Sequence, residues 1–315
     1  MSAVQRIASL TLNPAIDQTV VAPGFSLDSV NRATSTQSDA GGKGINVASF
    51  LARFGHPVVG LGLLGEDNEA MFTQHFQRVG IEDAFTRIKG ATRTNIKIID
   101  PPTNRITDLN FPGAQTSAHD LEAVERALMM AAIDGLDWLI LSGSLPLGLS
   151  DDSYLRFIKW ARMTGCKTVV DTSGGPLKEA IAAKPDVIKP NVQELREYLL
   201  APLASPEDVA DAARTLVEDG ISMVVVSMGH QGAVFCTKEG AYHALAEAPK
   251  IVTTVGAGDA MVAGVVHGHV EGKSLEEMSR TAIAFSIGAL GEIGPRIPEP
   301  AQIAELETLV RLSPI

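Results

Sequence analysis

Short, uninterrupted apolar runs recur along this chain, at residues 7–12, 58–64, 138–142, 168–171, 187–189 and 223–227. Each is bounded by Gly, Ser, Asp or Asn and followed by amphipathic sequence of helical length. A strand with one wet face alternates polar and apolar side chains. These runs do not, so they suit parallel strands covered on both faces. Strand-then-helix alternation of this kind predicts a doubly wound or three-layer αβα sheet, an α/β fold. With 45% of its 315 residues apolar, the chain can bury the core that such a sheet needs. Ligands of open α/β sheets bind beyond the carboxyl ends of the strands, which directs attention to the loops after each run.

Two regions break the rhythm. Residues 17–38 and 85–111 lack helical periodicity and alternate instead, as in Arg93-Thr94-Asn95-Ile96-Lys97-Ile98-Ile99. Both read as extra strands, the second turning at Asp100-Pro101-Pro102-Thr103-Asn104. Paired with each other, they would form a small sheet beside the main one, placed as a lid. After Val255 the sequence reads as helical to about Leu309. No repeat or linker divides the chain, so 1–315 is expected to be one domain with an inserted lid.

A net charge of −11 argues against a general nucleic-acid binder, which would normally carry a basic face, although a few local cations can still hold an anionic ligand. Cys166 and Cys236 are far apart and in no metal-binding spacing, which fits small core residues in a reducing cytosol. The residues up to Leu12 hold no apolar run long enough for a signal peptide, and no segment approaches the roughly 18 apolar residues of a membrane span. A cytoplasmic protein without a membrane partner is expected. The seven histidines are scattered, and His267 and His269 fall on different faces of a helix, so no zinc pair is implied.

Thr254-Val255-Gly256-Ala257-Gly258-Asp259 leads straight into a helix-like run. Small residues before a helix start gather backbone N–H groups at the positive end of its dipole, a site for phosphate or a developing anion. An acid closing such a nest suits a base that takes a proton from an attacking hydroxyl; otherwise Asp259 is an ordinary first-turn acid. No Gly-Lys-Ser/Thr follows, so this is not a Walker loop. In Asp39-Ala40-Gly41-Gly42-Lys43-Gly44-Ile45-Asn46 the glycines admit a ligand to the backbone, Lys43 supplies a point charge and Asn46 lies one turn in. A flexible turn with a solvated lysine is the competing reading.

Several strand ends carry polar groups. Ser227-Met228-Gly229-His230-Gln231-Gly232 is either a nucleotide-contacting loop or a hairpin turn. Ser142-Gly143-Ser144-Leu145-Pro146 and Lys189-Pro190-Asn191 also close apolar runs. Asn191 and Glu194, three apart, fit a hydrated Mg2+ or an ordinary capping box. Asp17 is a hydroxyl acceptor or a turn acid; Arg93 is a phosphate clamp carried by the lid or a solvated edge residue. No Gly-X-Gly-X-X-Gly follows the first run, which argues against a nicotinamide dehydrogenase. No Gly-X-Ser-X-Gly elbow or Cys–His set points to covalent catalysis.

Taken in order, Asn13-Pro14-Ala15-Ile16-Asp17, Gly41-Gly42-Lys43-Gly44-Ile45-Asn46, Ser142-Gly143-Ser144-Leu145-Pro146, Lys189-Pro190-Asn191 with Glu194, and 254–259 resemble the ribokinase/PfkB family of carbohydrate kinases. The resemblance covers essentially the whole chain. It implies a ribokinase-like αβα core with a mostly parallel sheet, a β-sheet lid that serves in forming a homodimer, and ATP with Mg2+. It implies Asp259 as the base acting on a sugar hydroxyl, with the amides of Gly256, Ala257 and Gly258 facing the transferring phosphoryl group. Asn191 and Glu194 would support Mg2+ largely through water, the cap being a second role. Lys189, Ser227, Gly229, Gly232, Thr254, Gly256 and Gly258 fall in the family's nucleotide segments, and Asp17, Gly42 and Asn46 match its sugar contacts.

Within the family, Thr253-Thr254 in place of Asp-Thr, together with Lys43, Arg93 and Ser142, is similar to the branch acting on sugar phosphates. Those last three would form the phosphate grip. Asp108-Leu109-Asn110-Phe111-Pro112-Gly113 resembles kinases of fructose 1-phosphate more than those of tagatose 6-phosphate. The expectation is therefore ATP-dependent phosphorylation of D-fructose 1-phosphate. Tagatose 6-phosphate and fructose 6-phosphate are the alternative substrates, and a catalytically silent sugar- or nucleotide-binding regulator is the alternative from another class.

Overall fold

Each apolar run forms a strand. The computed structural model describes residues 4–103, 105–253, 255–292, 294 and 296–315; Asn104 and Thr254 lie outside the described residues. The chain opens with β1 (Ile7–Thr11), β2 (Ala15–Val21), β3 (Ser35–Gly41) and α1 (Lys43–Arg53). Next come β4 (Val58–Gly65), α2 (Ala70–Val79), β5 (Ile81–Asp83), β6 (Thr86–Ile88), β7 (Thr94–Asp100) and β8 (Arg105–Leu109). The middle alternates α3 (Ala118–Ala131), β9 (Trp138–Ser142), α4 (Ser153–Thr164), β10 (Lys167–Asp171), α5 (Gly174–Ala182), β11 (Val187–Ile188), α6 (Val192–Leu199) and α7 (Pro206–Glu218). The last third holds β12 (Met223–Ser227), β13 (Ala233–Thr237), β14 (Gly240–Leu245), α8 (Ala257–Val270), α9 (Leu275–Leu290), α10 (Pro300–Glu307) and β15 (Arg311–Pro314).

An eleven-stranded sheet runs β15-β14-β13-β12-β11-β10-β9-β1-β4-β5, with β6 also paired to β4. From β12 to β5 every pairing is parallel. Neighbouring strand residues face opposite sides. Ile7, Val58, Ile140, Val169 and Val225 enter one layer with α1, α2, α8, α9 and α10. Ala8, Val59, Leu139, Val170 and Val224 enter the other, with α3 to α7. Two buried faces are what make the runs continuous, since each fully buried Val, Leu or Ile contributes roughly 1.5–3 kcal/mol.

A second sheet, ordered β3-β2-β7-β8, is the lid. Its strands overrun the limits read from sequence: β2 starts at Ala15 and β3 ends at Gly41. The second segment, expected from residue 85, is corrected at its start, because Thr86–Ile88 pairs with β4. Burial explains that choice: Ile88 packs into the main core beside Leu63 and Leu128. After Val255 the elements are helices up to Glu307, as expected to about Leu309, and beyond that limit β15 adds antiparallel to β14 at the sheet edge. The loop after β12 is the antiparallel connection into β13.

The lid springs directly from the sheet. β1 passes through Leu12, Asn13 and Pro14 into β2, and β3 passes through Gly42 into α1. Gly42 has φ 110, and a Cβ there would lie 2.9 Å from Pro14 Cα, so only glycine permits this crossing. At Gly44 a Cβ would meet Thr11 Oγ1 at 2.3 Å, which is how closely α1 lies on β1. Among the described residues no helix is long and apolar enough to cross a membrane.

Candidate active site

Between the lid and the carboxyl ends of the strands lies a cleft of about 400 Å³. The lid contributes Asp17, Arg93, Asn95, Lys97, Asp108 and Asn110; the core contributes Gly42, Lys43, Asn46, Lys189, Asn191, Glu194, Ser227, Gly256, Gly258 and Asp259. Segments far apart in the sequence therefore meet in one opening.

Gly256 caps α8 in the left-handed conformation (φ 84) and starts the helix with its N–H groups towards that opening. Asp259, in the first turn, is only 6% exposed and accepts a hydrogen bond of 2.7 Å from Asn46 Nδ2. Burial pushes its carboxyl up to about 6, against the pull of Lys43; Asp171 adds to the rise, and Asn46 and Lys189 oppose it. Such a group is ionised at neutral pH yet more basic than an ordinary carboxylate, the property of a general base. The buried Oδ1 of Asn46 has no partner among the described residues.

Asp171, which in the sequence marks only the close of an apolar run, ends β10. Lys43 Nζ and Lys189 Nζ both lie 3.2 Å from its Oδ1. Its side chain is 1% exposed, and its Oδ2 has no partner among the described residues. Burial alone would raise this carboxyl, but Lys189 and Lys43 overcome it and hold the group below the usual carboxylate range. Asp171 in turn keeps Lys43 protonated, with help from Asp259 and Glu194 and against burial. Lys189 Nζ lies 3.5 Å from where a Gly258 Cβ would stand, beside the α8 loop. One carboxylate thus holds two ammonium groups whose lysines both line the cleft. A charged residue closing an otherwise apolar parallel strand was the available signal.

On the lid side, Arg93 donates to the carbonyls of Asn13 at 2.9 Å, Pro14 at 3.2 Å and Phe111 at 2.7 Å. A guanidinium has five N–H groups, so among the described residues one on each terminal nitrogen has no partner. Arg93 consequently ties the β1–β2 crossing to the lid while still lining the cleft. Asp17 accepts from Asn95 Nδ2 at 3.3 Å, and burial raises its carboxyl despite that bond. Lys97 pairs with Asp108 across β7 and β8. Asn95, Lys97, Asp108 and Asn110 were not singled out as ligand-facing; inward positions of a two-sided strand carry no mark of which face will meet a cleft.

Asn191 and Glu194 line the cleft and also form the capping box of α6, with bonds of 2.8 and 2.9 Å. Other expected residues stand back from the opening. Ser142 is fully buried, its hydroxyl without a partner among the described residues. Its motif instead braces the lid crossing, where Asn13 Nδ2 donates to Ser144 Oγ at 3.1 Å and to the Leu145 carbonyl at 3.2 Å. Gly229 is exposed on the turn after Ser227. A Cβ at Gly232 would lie 2.1 Å from the Ala244 carbonyl, so packing against β14 accounts for that glycine. Ala257 is the first residue of α8, between two glycines that do line the cleft.

Comparison with known proteins agrees with this geometry. The pfkB family carbohydrate kinase profile matches residues 10–302. A 1-phosphofructokinase of Rhodobacter capsulatus is 50% identical over 305 residues, covering 97% of this chain and 96% of the relative. That of Escherichia coli K12 is 34% identical over 316 residues, covering 98% and 99%. Among solved structures, Escherichia coli phosphofructokinase-2 in complex with substrates and products superposes with a TM-score of 0.90 at 28% identity, covering 96% of this chain and 98% of that one. Matched almost from end to end in sequence and in fold, the chain belongs to the pfkB family of carbohydrate kinases.

Proposed function

We propose that this protein transfers the γ-phosphoryl group of ATP to the free 6-hydroxyl of D-fructose 1-phosphate, giving fructose 1,6-bisphosphate and ADP. The observation that carries the chemistry is Asp259, buried at the start of α8 and held by Asn46, where burial pushes its carboxyl up to about 6. The choice of sugar rests on the 1-phosphofructokinases to which the chain is similar and on Lys43 and Arg93, which line the cleft with cationic donors.

Phosphoryl transfer requires alignment and charge stabilisation more than covalent help. Lys43 and the two remaining N–H groups of Arg93 hold the phosphate of the sugar, turning its far hydroxyl toward Asp259. Asp259 takes the hydroxyl proton as the oxygen attacks the γ-phosphorus and the bond to the β-phosphate oxygen breaks. The amides of Gly256, Ala257 and Gly258, at the positive end of α8, receive the charge on the transferring group. Lys189 and Ser227 flank the nucleotide phosphates, and Asp17 and Asn46 accept and donate at the sugar hydroxyls. Closing the lid excludes water that would otherwise take the phosphoryl group. The capping box leaves one Glu194 carboxylate oxygen unengaged, which fits a Mg2+ ion held through water. When bound, Mg2+ neutralises charge on the nucleotide phosphates. A homodimer formed through the lid is also inferred. Leu27 and Val30 stand strongly exposed between β2 and β3, and the related Escherichia coli phosphofructokinase-2 has a tetrameric form.

A coupled ADP-release assay with Mg-ATP and a panel of phosphosugars tests the reading. The expected result is a kcat/KM for fructose 1-phosphate well above those for fructose 6-phosphate and tagatose 6-phosphate. Preference for either of those would replace the sugar assignment. No turnover with any of them would leave the silent-regulator reading standing.

A further inference from the structure

α1 and α8 run side by side away from the cleft and are fastened to each other at both ends. At the cleft end Asn46 bonds Asp259 at 2.7 Å. At the far end His56 Nε2, just past α1, lies 2.8 Å from His267 Nδ1 in the last turn of α8. Glu271, the C-cap of α8, follows His267 by four residues and so shares its helix face. The two ring nitrogens and a Glu271 oxygen all lie within 4.8 Å of one another. The rings are held in place: His267 stacks on Phe285 at 5.6 Å and meets Phe54 edge-on at 5.2 Å, and His56 is 9% exposed. Neither the phosphoryl transfer nor the cleft uses this cluster.

We propose that His56, His267 and Glu271 form a binding site for a borderline divalent transition-metal ion, Zn2+ in the first instance, which clamps α1 to α8 at the end remote from the cleft. Two imidazoles and a carboxylate, with water in a fourth position, make a donor set suited to Zn2+, whereas Mg2+ prefers an all-oxygen octahedron. Zn–N bonds of about 2.0–2.1 Å set tetrahedral ligands about 3.3 Å apart, so the imidazole pair at 2.8 Å opens by about 0.5 Å. The ion takes the place of the hydrogen the two rings share, and that hydrogen moves to the outer nitrogen of its own ring. Glu271 is exposed and closes the site by side-chain rotation. The histidine two residues on, His269, turns to the Trp138 ring at 5.0 Å and takes no part. His267 finds its partner on another element, which spacing along one helix could not reveal.

The test titrates ZnCl2 into the full-length enzyme, free of nucleotide and sugar, by calorimetry at pH 7.5, with thermal unfolding followed in parallel. One equivalent is expected to bind and to raise Tm. His267→Gln and, separately, Glu271→Gln should each weaken that affinity at least about 10-fold. Replacement of the exposed His119 by Gln should leave it unchanged. Glu271 is a surface residue, so its variant keeps the test open even if the half-buried His267 proves necessary for folding. No binding by the unsubstituted enzyme overturns the proposal, and so does binding that survives both substitutions, which would put the ion elsewhere.

Discussion

Asp259 and Asp171 are buried carboxylates near the same two lysines, yet their titration shifts in opposite directions. The difference is contact. Asp171 holds both ammonium groups at 3.2 Å, enough to outweigh desolvation, whereas the hydrogen-bonded neighbour of Asp259 is the neutral amide of Asn46. If Asp259 is the base, kcat should fall tenfold per pH unit below an apparent pKa of about 6, because only the ionised carboxylate accepts the proton. A pH-rate profile flat down to pH 5 would exclude it. Stability follows from the same shift. A carboxyl raised from 3.8 to about 6 stabilises the fold only while protonated, and that contribution is lost as pH rises through about 6. Asp259→Asn, neutral at every pH, should therefore be more stable than the parent by up to about 3 kcal/mol at pH 7.5. Urea unfolding should show that gap narrowing toward pH 4.5. Asp171→Asn has the opposite sign, since it leaves Lys189, 6% exposed, without its counter-ion. A loss of about 3–5 kcal/mol is expected, with KM for the sugar phosphate raised through Lys43. Unchanged Tm and KM would show that the two lysines need no anchor.

At the scale of elements, the parallel strands were legible because cover on both faces is written into local sequence, as in Trp138–Ser142 and Met223–Ser227. The antiparallel edge was not: β13 and β14 follow a turn that reads equally well as a ligand loop, and Arg311–Pro314 is a short, mostly exposed run with no pattern of its own. The lid was visible as alternation, but its ends were not, since Ile88 belongs to the core by packing alone. The crossing at Gly42 joins lid, lysine and α1. Gly42→Ala would place a Cβ 2.9 Å from Pro14 Cα in a left-handed backbone. Strain of roughly 1–3 kcal/mol is expected, with KM for the sugar phosphate rising more than KM for ATP. Equal changes in both would mean that the crossing does not position Lys43.

Across the whole molecule, the site was legible as a set of loops but not as a set of contacts. Gly42, Lys43, Asn46, Arg93, Lys189, Asn191, Glu194, Gly256 and Asp259 all reach one cleft, some from loops that close parallel strands, as Lys189 does, and others from the lid and its crossings, as Arg93 and Gly42 do. Ser142 and Gly232 occupy motif positions yet face inward, because a motif records which residue type is needed and not whether it touches a ligand or supports one that does. Asp171 escaped for the converse reason: its partner Lys43 lies 128 residues away in sequence. The account as a whole depends on Asp259 removing the hydroxyl proton inside that cleft, and single-turnover and steady-state kinetics of Asp259→Asn with Mg-ATP and fructose 1-phosphate test it most directly. The predicted result is unchanged ATP affinity with kcat lower by about 10²–10⁴-fold. Turnover within a few-fold of the parent enzyme would contradict it.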